Sequence, residues 1–412
     1  MTESKTLPTP AEFERQLARF IDALTGGDSP VGRDTRLFED GYMNSMRILD
    51  LIAVVEKTLG RRVPDRAVRL ANFRSIATIV QAFHPDAPRA GAPPPAPDTL
   101  FSRRGDRARF ASPIVLLERR GDLAVTGAGR VALAGLALDV LEAVDDTVVR
   151  WARALGAPEH RYPSLIDLRV LDRAGQLESF PQHLTRVLAS PDDTGLRAPD
   201  DSGVTAPHDT GRVALAPAVC YHAYPGWTGK TLGLDPTLLT ARGHCYRAEA
   251  GDYAPLERLW EFTMREVVVV GTRVQVEGVR QSLVRQVTSL VETLELDGSI
   301  DTATDPFFAA GDEGRRLMQQ AGALKHELRL TIDASGRAIA AASFNHHHDF
   351  FGTRFAIRLA ADAPAHSGCV AFGLERWVLA ILAQHGVDDR SWPHGARTWL
   401  DEWRDRRRGA RG

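Results

Sequence analysis

The sequence runs to 412 residues, 43% hydrophobic and 25% charged, enough for two or three globular domains and too apolar for a disordered chain. Its 51 Lys and Arg against 53 Asp and Glu give a formal net charge of −2, without the basic excess that grips a nucleic-acid backbone, so a constitutive DNA or RNA binder is disfavoured. No run approaches the ~18 apolar residues of a membrane span, and Met1-Thr2-Glu3-Ser4-Lys5 lacks the charged-then-apolar pattern of an export signal, so a cytoplasmic protein is expected.

Taken in chain order, Phe13, Leu17, Phe20, Ile21 and Leu24 recur at helical spacing. A second helical run goes from Ser45 through Met46, Ile48, Leu49, Ile52 and Val55 to a stop at Gly60, and a short helix over Ser75 to Phe83 follows. Six prolines between Pro85 and Pro97, with no large apolar residue among them, predict an extended linker. The expected domains are therefore 1–84, an all-helical bundle, 85–100, the linker, and 101–412. The last opens on an apolar helical stretch, Val131 to Leu155. Shorter strand-like runs follow at Cys245 to Glu249, Phe262 to Val270, Leu328 to Ile332 and Ile339 to Phe344, predicting an α+β domain with a mainly antiparallel sheet. Asp192 to Asp209, rich in Asp, Gly, Pro and Thr, reads as a long surface loop, and Arg404 to Arg411 as a solvated basic end. Three cysteines, Cys220, Cys245 and Cys369, make a disulfide framework improbable and leave metal binding or burial.

Ser45 stands where the loop Glu39-Asp40-Gly41-Tyr42 becomes a helix, a place where a hydroxyl caps the first turn. The stretch Phe38 to Met46, the amphipathic helix behind it, Val63-Pro64-Asp65 and Asn72-Phe73-Arg74-Ser75-Ile76 resemble acyl and peptidyl carrier proteins. That resemblance implies a four-helix bundle and a 4′-phosphopantetheine on Ser45, added by a phosphopantetheinyl transferase. The family usually has Asp-Ser-Leu; here Asn44 and Met46 flank the serine, Met keeping the apolar contact and Asn removing a charge.

Arg247-Ala248-Glu249, then Arg258 and Phe262, then Gly368 to Arg376 passing from strand through glycine into helix, resemble motifs two and three of class II aminoacyl-tRNA synthetases. Adenylate formation sets a carboxylate against a phosphate, so it needs fixed guanidinium groups, and an aromatic face can stack on adenine. The resemblance implies Arg247 and Arg376 as catalytic residues, Arg247, Arg258 and Arg376 on the phosphates of ATP, and Phe262 on its base.

Within that superfamily, Ala216 to Tyr221, Asp305-Pro306-Phe307-Phe308, Ala323 to Glu327, Ala342-Ser343-Phe344-Asn345 and His366 to Trp377 resemble the seryl-tRNA-synthetase-like amino acid:[carrier protein] ligases, over about Leu155 to Gly386. The resemblance implies Zn2+ held by Cys220, Glu249 and Cys369 with a position open for the substrate's α-amino group, Mg2+ with ATP, pocket residues Lys325 and Asn345, a homodimer built near Pro163, and a small amino acid, glycine or alanine, as substrate. The acceptor would be the chain's own carrier or a separate one, with the product entering a natural-product pathway. tRNA is not an expected partner. An inactive amino-acid-binding scaffold is the alternative, disfavoured by the presence of Arg247, Glu249, Arg258, Phe262 and Arg376. Cys245, on the same expected strand face as Glu249, reads as an extra ligand or a packed neighbour. In His346-His347-His348, alternation lets at most His346 and His348 converge, and a loop or sheet-edge role is favoured.

Overall fold

A computed structural model describes residues 7–25, 31–35, 37, 48–63, 70–86, 99–105, 112–187, 212–249, 251–303 and 325–409. Ser45, most of the proline-rich linker, Asp192 to Asp209, and Asp305 to Phe308 lie outside the described residues. The chain divides into two units, residues 1–98 with 302–325, and residues 99–301 with 326–412.

The first unit carries helices α1 (Pro10–Thr25), α2 (Ile48–Leu59), α3 (Leu70–Phe73) and α4 (Ile76–Phe83). Phe13, Leu17 and Ile21 of α1 and Leu51 and Val55 of α2, spaced four apart, bury one shared core with Phe73 and Ile79. Gly60 follows α2 in a left-handed conformation, φ 63°, the usual helix-stopping arrangement. Ser75 caps α4, its Oγ accepting from Thr78 N–H at 3.2 Å while Thr78 Oγ1 accepts from Ser75 N–H at 2.8 Å.

The second unit is built on an eight-stranded sheet in the order β1-β9-β10-β11-β12-β8-β7-β4. Its strands are β1 (Thr99–Arg103), β4 (Glu159–His160), β7 (Thr237–Tyr246), β8 (Glu261–Gly271), β9 (Gly298–Thr302), β10 (Lys325–Thr331), β11 (Ala338–His348) and β12 (His366–Gly373). Two small sheets pair β2 (Leu123–Gly127) with β3 (Arg130–Leu133), and β5 (Leu165–Asp167) with β6 (Val213–Leu215). The central pairs β7–β8, β8–β12 and β12–β11 are antiparallel; β4 joins β7 in parallel. Helices are α5 (Ile114–Arg120), α6 (Gly135–Ala154), α7 (Leu168–Arg173), α8 (Gln176–Ser179), α9 (Arg273–Thr293), α10 (Phe350–Arg354), α11 (Leu374–His385) and α12 (His394–Gly409).

Two expectations shift. The helix expected over Val131 to Leu155 is a strand, β3, followed by α6. The break falls at Gly135, whose φ is 48° and where a Cβ would collide with the Asp122 carboxylate. The strand expected over Cys245 to Glu249 ends at Tyr246; Glu249 N–H bonds back to Arg247 C=O at 2.9 Å, leaving Arg247 to Glu249 in the loop before β8.

Alternation gives the sheet two unlike faces. Val267, Val370, Phe372 and Phe344 join the large core with Leu283 and Val287 of α9, Trp377 and Val378 of α11, and Val144 and Val148 of α6. Their neighbours Ala241, Cys245, Met264, Val268, Cys369 and Ala371 line the opposite face, with Val219, Cys220, Tyr224 and Phe351. That second face carries the candidate site.

Candidate active site

Glu266 lies in mid-strand on β8, between Ala371 of β12 and Ala241 of β7, and is 1% exposed. On the same face Cys369 sits one strand over, and a 3₁₀ turn, Cys220–His222, lays Cys220 over the pair. Glu266 Oε1 accepts from Val219 N–H at 2.7 Å and Cys220 N–H at 3.3 Å; Oε2 is buried without a hydrogen-bond partner. The ligand-capable atoms of Cys220, Glu266 and Cys369 all lie within 4.8 Å of one another.

The electrostatics of this group are strained. Burial, and then the neighbouring Cys369, push the Glu266 carboxyl up to about 8. The hydrogen bond between the two thiols raises Cys220 and lowers Cys369, which also faces His347 Nε2 at 3.7 Å and Asn345 Nδ2 at 3.5 Å. Two sulfurs and a carboxylate without a nearby cation make a costly buried arrangement, and they are a fitting donor set for Zn2+, three ligands with a fourth position open.

The carboxylate grouped with the two cysteines is Glu266, where the resemblance implied Glu249. Glu249 is paired with Arg258 at 3.6 Å, and the cysteines meet Glu266 in its stead. The reason is the strand end at Tyr246, which takes Glu249 out of the sheet, whereas the valine-rich β8 carries Glu266 inward in mid-strand. A signal was present: Arg265-Glu266 in an otherwise apolar run must send one charge to each face. Cys245 is fully buried on the site face opposite Phe262, outside the ligand-capable group.

Beyond the hairpin end of this face, Arg247 lies over the Phe262 ring, 5.3 Å from its centroid, with Nε donating to Pro217 C=O at 3.0 Å. Arg376, in the first turn of α11, donates from Nε to Glu257 C=O at 2.9 Å and from Nη1 to Ala340 C=O at 3.0 Å; its burial lowers its pKa, partly offset by Glu249. Next to it, Glu375 is buried, both oxygens accepting from Thr263 N–H at 2.9 Å, which ties α11 to β8. Asn345 donates to Ser343 Oγ at 3.1 Å and reaches the Cys369 carbonyl at 3.4 Å; Lys325 opens β10 and is buried. His347 was missed. It lies on the site face, with Nδ1 at 3.3 Å from Ser367 Oγ and 3.4 Å from Tyr224 OH. The His346 to His348 run is strand, not loop: it ends β11 and pairs there with the start of β12.

No protein-family model matches the chain. Amino acid–[acyl-carrier-protein] ligase 2 of Bradyrhizobium diazoefficiens is 32% identical over 330 residues, 76% of this chain and 91% of that protein. Amino acid–[acyl-carrier-protein] ligase 1 of the same organism is 31% identical over 60% of this chain and 78% of its own length. The type-2 serine–tRNA ligase of Methanothermobacter thermautotrophicus is 28% identical over 60% of this chain and 51% of its own length. In three dimensions the chain resembles M. kandleri seryl-tRNA synthetase, solved with A. aeolicus tRNASec, at a TM-score of 0.62 and 22% identity over 74% of this chain. The Pyrococcus horikoshii enzyme solved with ATP gives 0.52 and 14% over 72%. This chain spans 63% and 64% of those two synthetase chains, and they establish the fold, a class II seryl-tRNA-synthetase-like domain. Among the described residues no helix is long and apolar enough to cross a membrane. With its fold and the match to nearly the whole of a named ligase together, the chain belongs to the family of amino acid–[acyl-carrier-protein] ligases.

Proposed function

We propose that the chain activates a small amino acid, glycine or alanine first, with ATP, and passes it to the phosphopantetheine thiol of a carrier, its own N-terminal unit at Ser45. The observation that carries this reading is the buried Glu266 carboxylate, tied through one oxygen and orphaned at the other, between two cysteines. Cys220, Glu266 and Cys369 would hold zinc, whose remaining position would select an α-amine. Residues 1–84 would be the carrier, 85–100 its linker and 101–412 the ligase, which works as a homodimer.

In the first step a substrate carboxylate oxygen attacks the α-phosphorus, and the bond to the β-phosphate oxygen breaks to release pyrophosphate. Arg247 serves the α-phosphate and the carboxylate, its guanidinium held in place by Pro217 C=O and the Phe262 ring, so little ordering is left to do in the transition state. Phe262 offers its other face to adenine. Arg258 and Arg376 serve the far phosphates, ATP entering as its magnesium salt, and the polyphosphate would draw Arg258 from its 3.6 Å pairing with Glu249. Lys325 and Asn345 line the amino-acid end. In the second step the carrier's sulfur attacks the aminoacyl carbonyl carbon, the mixed-anhydride bond from that carbon to the phosphate oxygen breaks, AMP leaves, and the thiol proton passes to solvent. A tethered thiol meets the adenylate at high effective concentration.

The test is intact mass after treatment with a phosphopantetheinyl transferase, then Mg-ATP and each amino acid. A pantetheine step followed by one aminoacyl increment, both lost in Ser45→Ala, is expected. A pantetheine step with no increment, alongside normal ATP–pyrophosphate exchange, would move the acceptor to a separate carrier. No exchange with any amino acid would leave a scaffold.

A further inference from the structure

His346, His347 and His348 end β11, and the sheet divides them. His347 faces Cys369; His346 follows Phe344 onto the other face. A bulge follows, for His346 pairs with Gly368 but His348 with Ser367, and His348 takes φ 51°. The bulge brings His348 beside His366 at the start of β12. Ring centroids are 4.8 Å apart for His346 and His348, 5.7 Å for His346 and His366, and 5.8 Å for His348 and His366. One ligand-capable nitrogen from each of the three lies within 4.8 Å of the other two.

This cluster is built into the sheet face under α9. At Gly368 a side chain would meet Asn345 C=O at 2.7 Å and Val276 Cγ1 at 2.8 Å, so α9 rests close on β12 beside it. His346 is 7% exposed and its Nε2 is buried with no hydrogen-bond partner; His366 Nδ1 is buried and partnerless as well. Buried polar nitrogens are normally satisfied, and two orphans in one cluster of three rings signal a missing partner.

We propose that His346, His348 and His366 form a second metal site, for Zn2+, on the sheet face opposite Cys220, Glu266 and Cys369. Three imidazoles without an oxygen ligand suit a late first-row ion and not Ca2+ or Mg2+, and they leave a coordination position for water. Burial, then the neighbouring imidazoles and Arg280, push the His346 pKa down, and burial with His366 and Arg273 does the same at His348. Two arginines approach the cluster. Arg280 is paired with Glu277 at 2.9 and 3.1 Å, and Asp349 opposes Arg273 at His348 and His366. Binding through His346 Nε2 moves that ring's proton to Nδ1 and gives up the 3.0 Å contact from the His348 amide, one neutral hydrogen bond exchanged for a metal bond.

The untagged full chain, stripped of metal, is titrated with Co2+ and followed by absorption and total bound metal. About two equivalents are expected, one with a near-ultraviolet thiolate-to-cobalt band and one without it. His348→Gln and His366→Gln should each lose the band-free equivalent and keep the thiolate band, whereas Cys369→Ser should do the reverse. Histidine variants that bind as much cobalt, equally tightly, as the unaltered chain would overturn the site, as would loss of all bound cobalt in Cys369→Ser. If the histidine variants do not fold, X-ray absorption of folded Cys369→Ser loaded with Zn2+ decides: an imidazole shell supports the site, and no bound zinc overturns it.

Discussion

The two faces of the central sheet treat buried charge in opposite ways at adjacent residues of β8. On the helix-covered face Arg265 is 2% exposed and satisfied, with Nε and Nη2 on the Asp145 carboxylate at 2.7 and 2.9 Å and Nη1 on Glu159 at 3.0 Å. Its cross-strand neighbour Arg242 is matched to Glu142 and Asp145. One residue on, Glu266 has no ion-pair partner among the described residues and keeps an orphan oxygen. A buried charge with all partners present holds α6 to the sheet; one with a partner missing marks a place where something binds.

The largest expected effect separates the two glutamates. Glu266→Gln should weaken zinc by about 10²-fold or more and lower amino-acid-dependent ATP–pyrophosphate exchange by about 10³-fold, ~4 kcal/mol. Glu249→Gln should leave bound zinc unchanged and act through Arg258 and Arg376. Equal loss of metal in both variants, measured on protein purified under the same zinc supply, would return the ligand to Glu249.

On the other face Asp145→Asn should cost about 3 kcal/mol of stability, because Arg265 stays buried with half its partners gone. Denaturant melts check this, and the exchange rate per folded molecule should hold. A variant that melts normally but loses activity would erase the division between the faces.

Next comes Arg376, whose guanidinium is shaped by two carbonyls from different elements. Lysine cannot satisfy Glu257 C=O and Ala340 C=O from one nitrogen while presenting charge to a phosphate. Arg376→Lys should therefore lower kcat by about 10²-fold, ~2.7 kcal/mol, with metal content intact. A change confined to KM for the amino acid would move Arg376 away from the phosphates.

How much of this was legible follows from how local each feature is. The capped helix at Ser75, the stop at Gly60 and the valine run of β8 were readable, because capping, glycine and alternation act within a few residues. The end of β7 was not, since nothing in Cys245-Tyr246-Arg247-Ala248-Glu249 interrupts a strand. The turn is imposed by the Glu249 amide folding back on Arg247. That one misplaced end is why the expected Glu249 stands outside the group that Cys220, Glu266 and Cys369 form. His366 joins His346 and His348 through a bulge between strands twenty residues apart, and a bulge has no signature in composition.

Cys245 tests the comparison most finely, because it shares the site face, its burial and a thiol with the two candidate ligands yet stands outside their group. Burial, followed by the charge of Glu266, raises its pKa, the behaviour of an inert packed thiol, whereas Cys369 is lowered by its hydrogen bond from Cys220 and by His347. What distinguishes the two is position in the hairpin. Cys245 pairs with Phe262 near the strand end, four residues short of Glu266 along β8, while Cys369 lies on the neighbouring strand two positions away in register. Cys245→Ala should then cost only about 1 kcal/mol for the small void, and leave metal content and exchange activity within about twofold. Loss of zinc in Cys245→Ala, with Cys220 and Cys369 unaltered, would show that the ion draws its third sulfur from β7, and that burial on this face is enough to make a thiol a ligand.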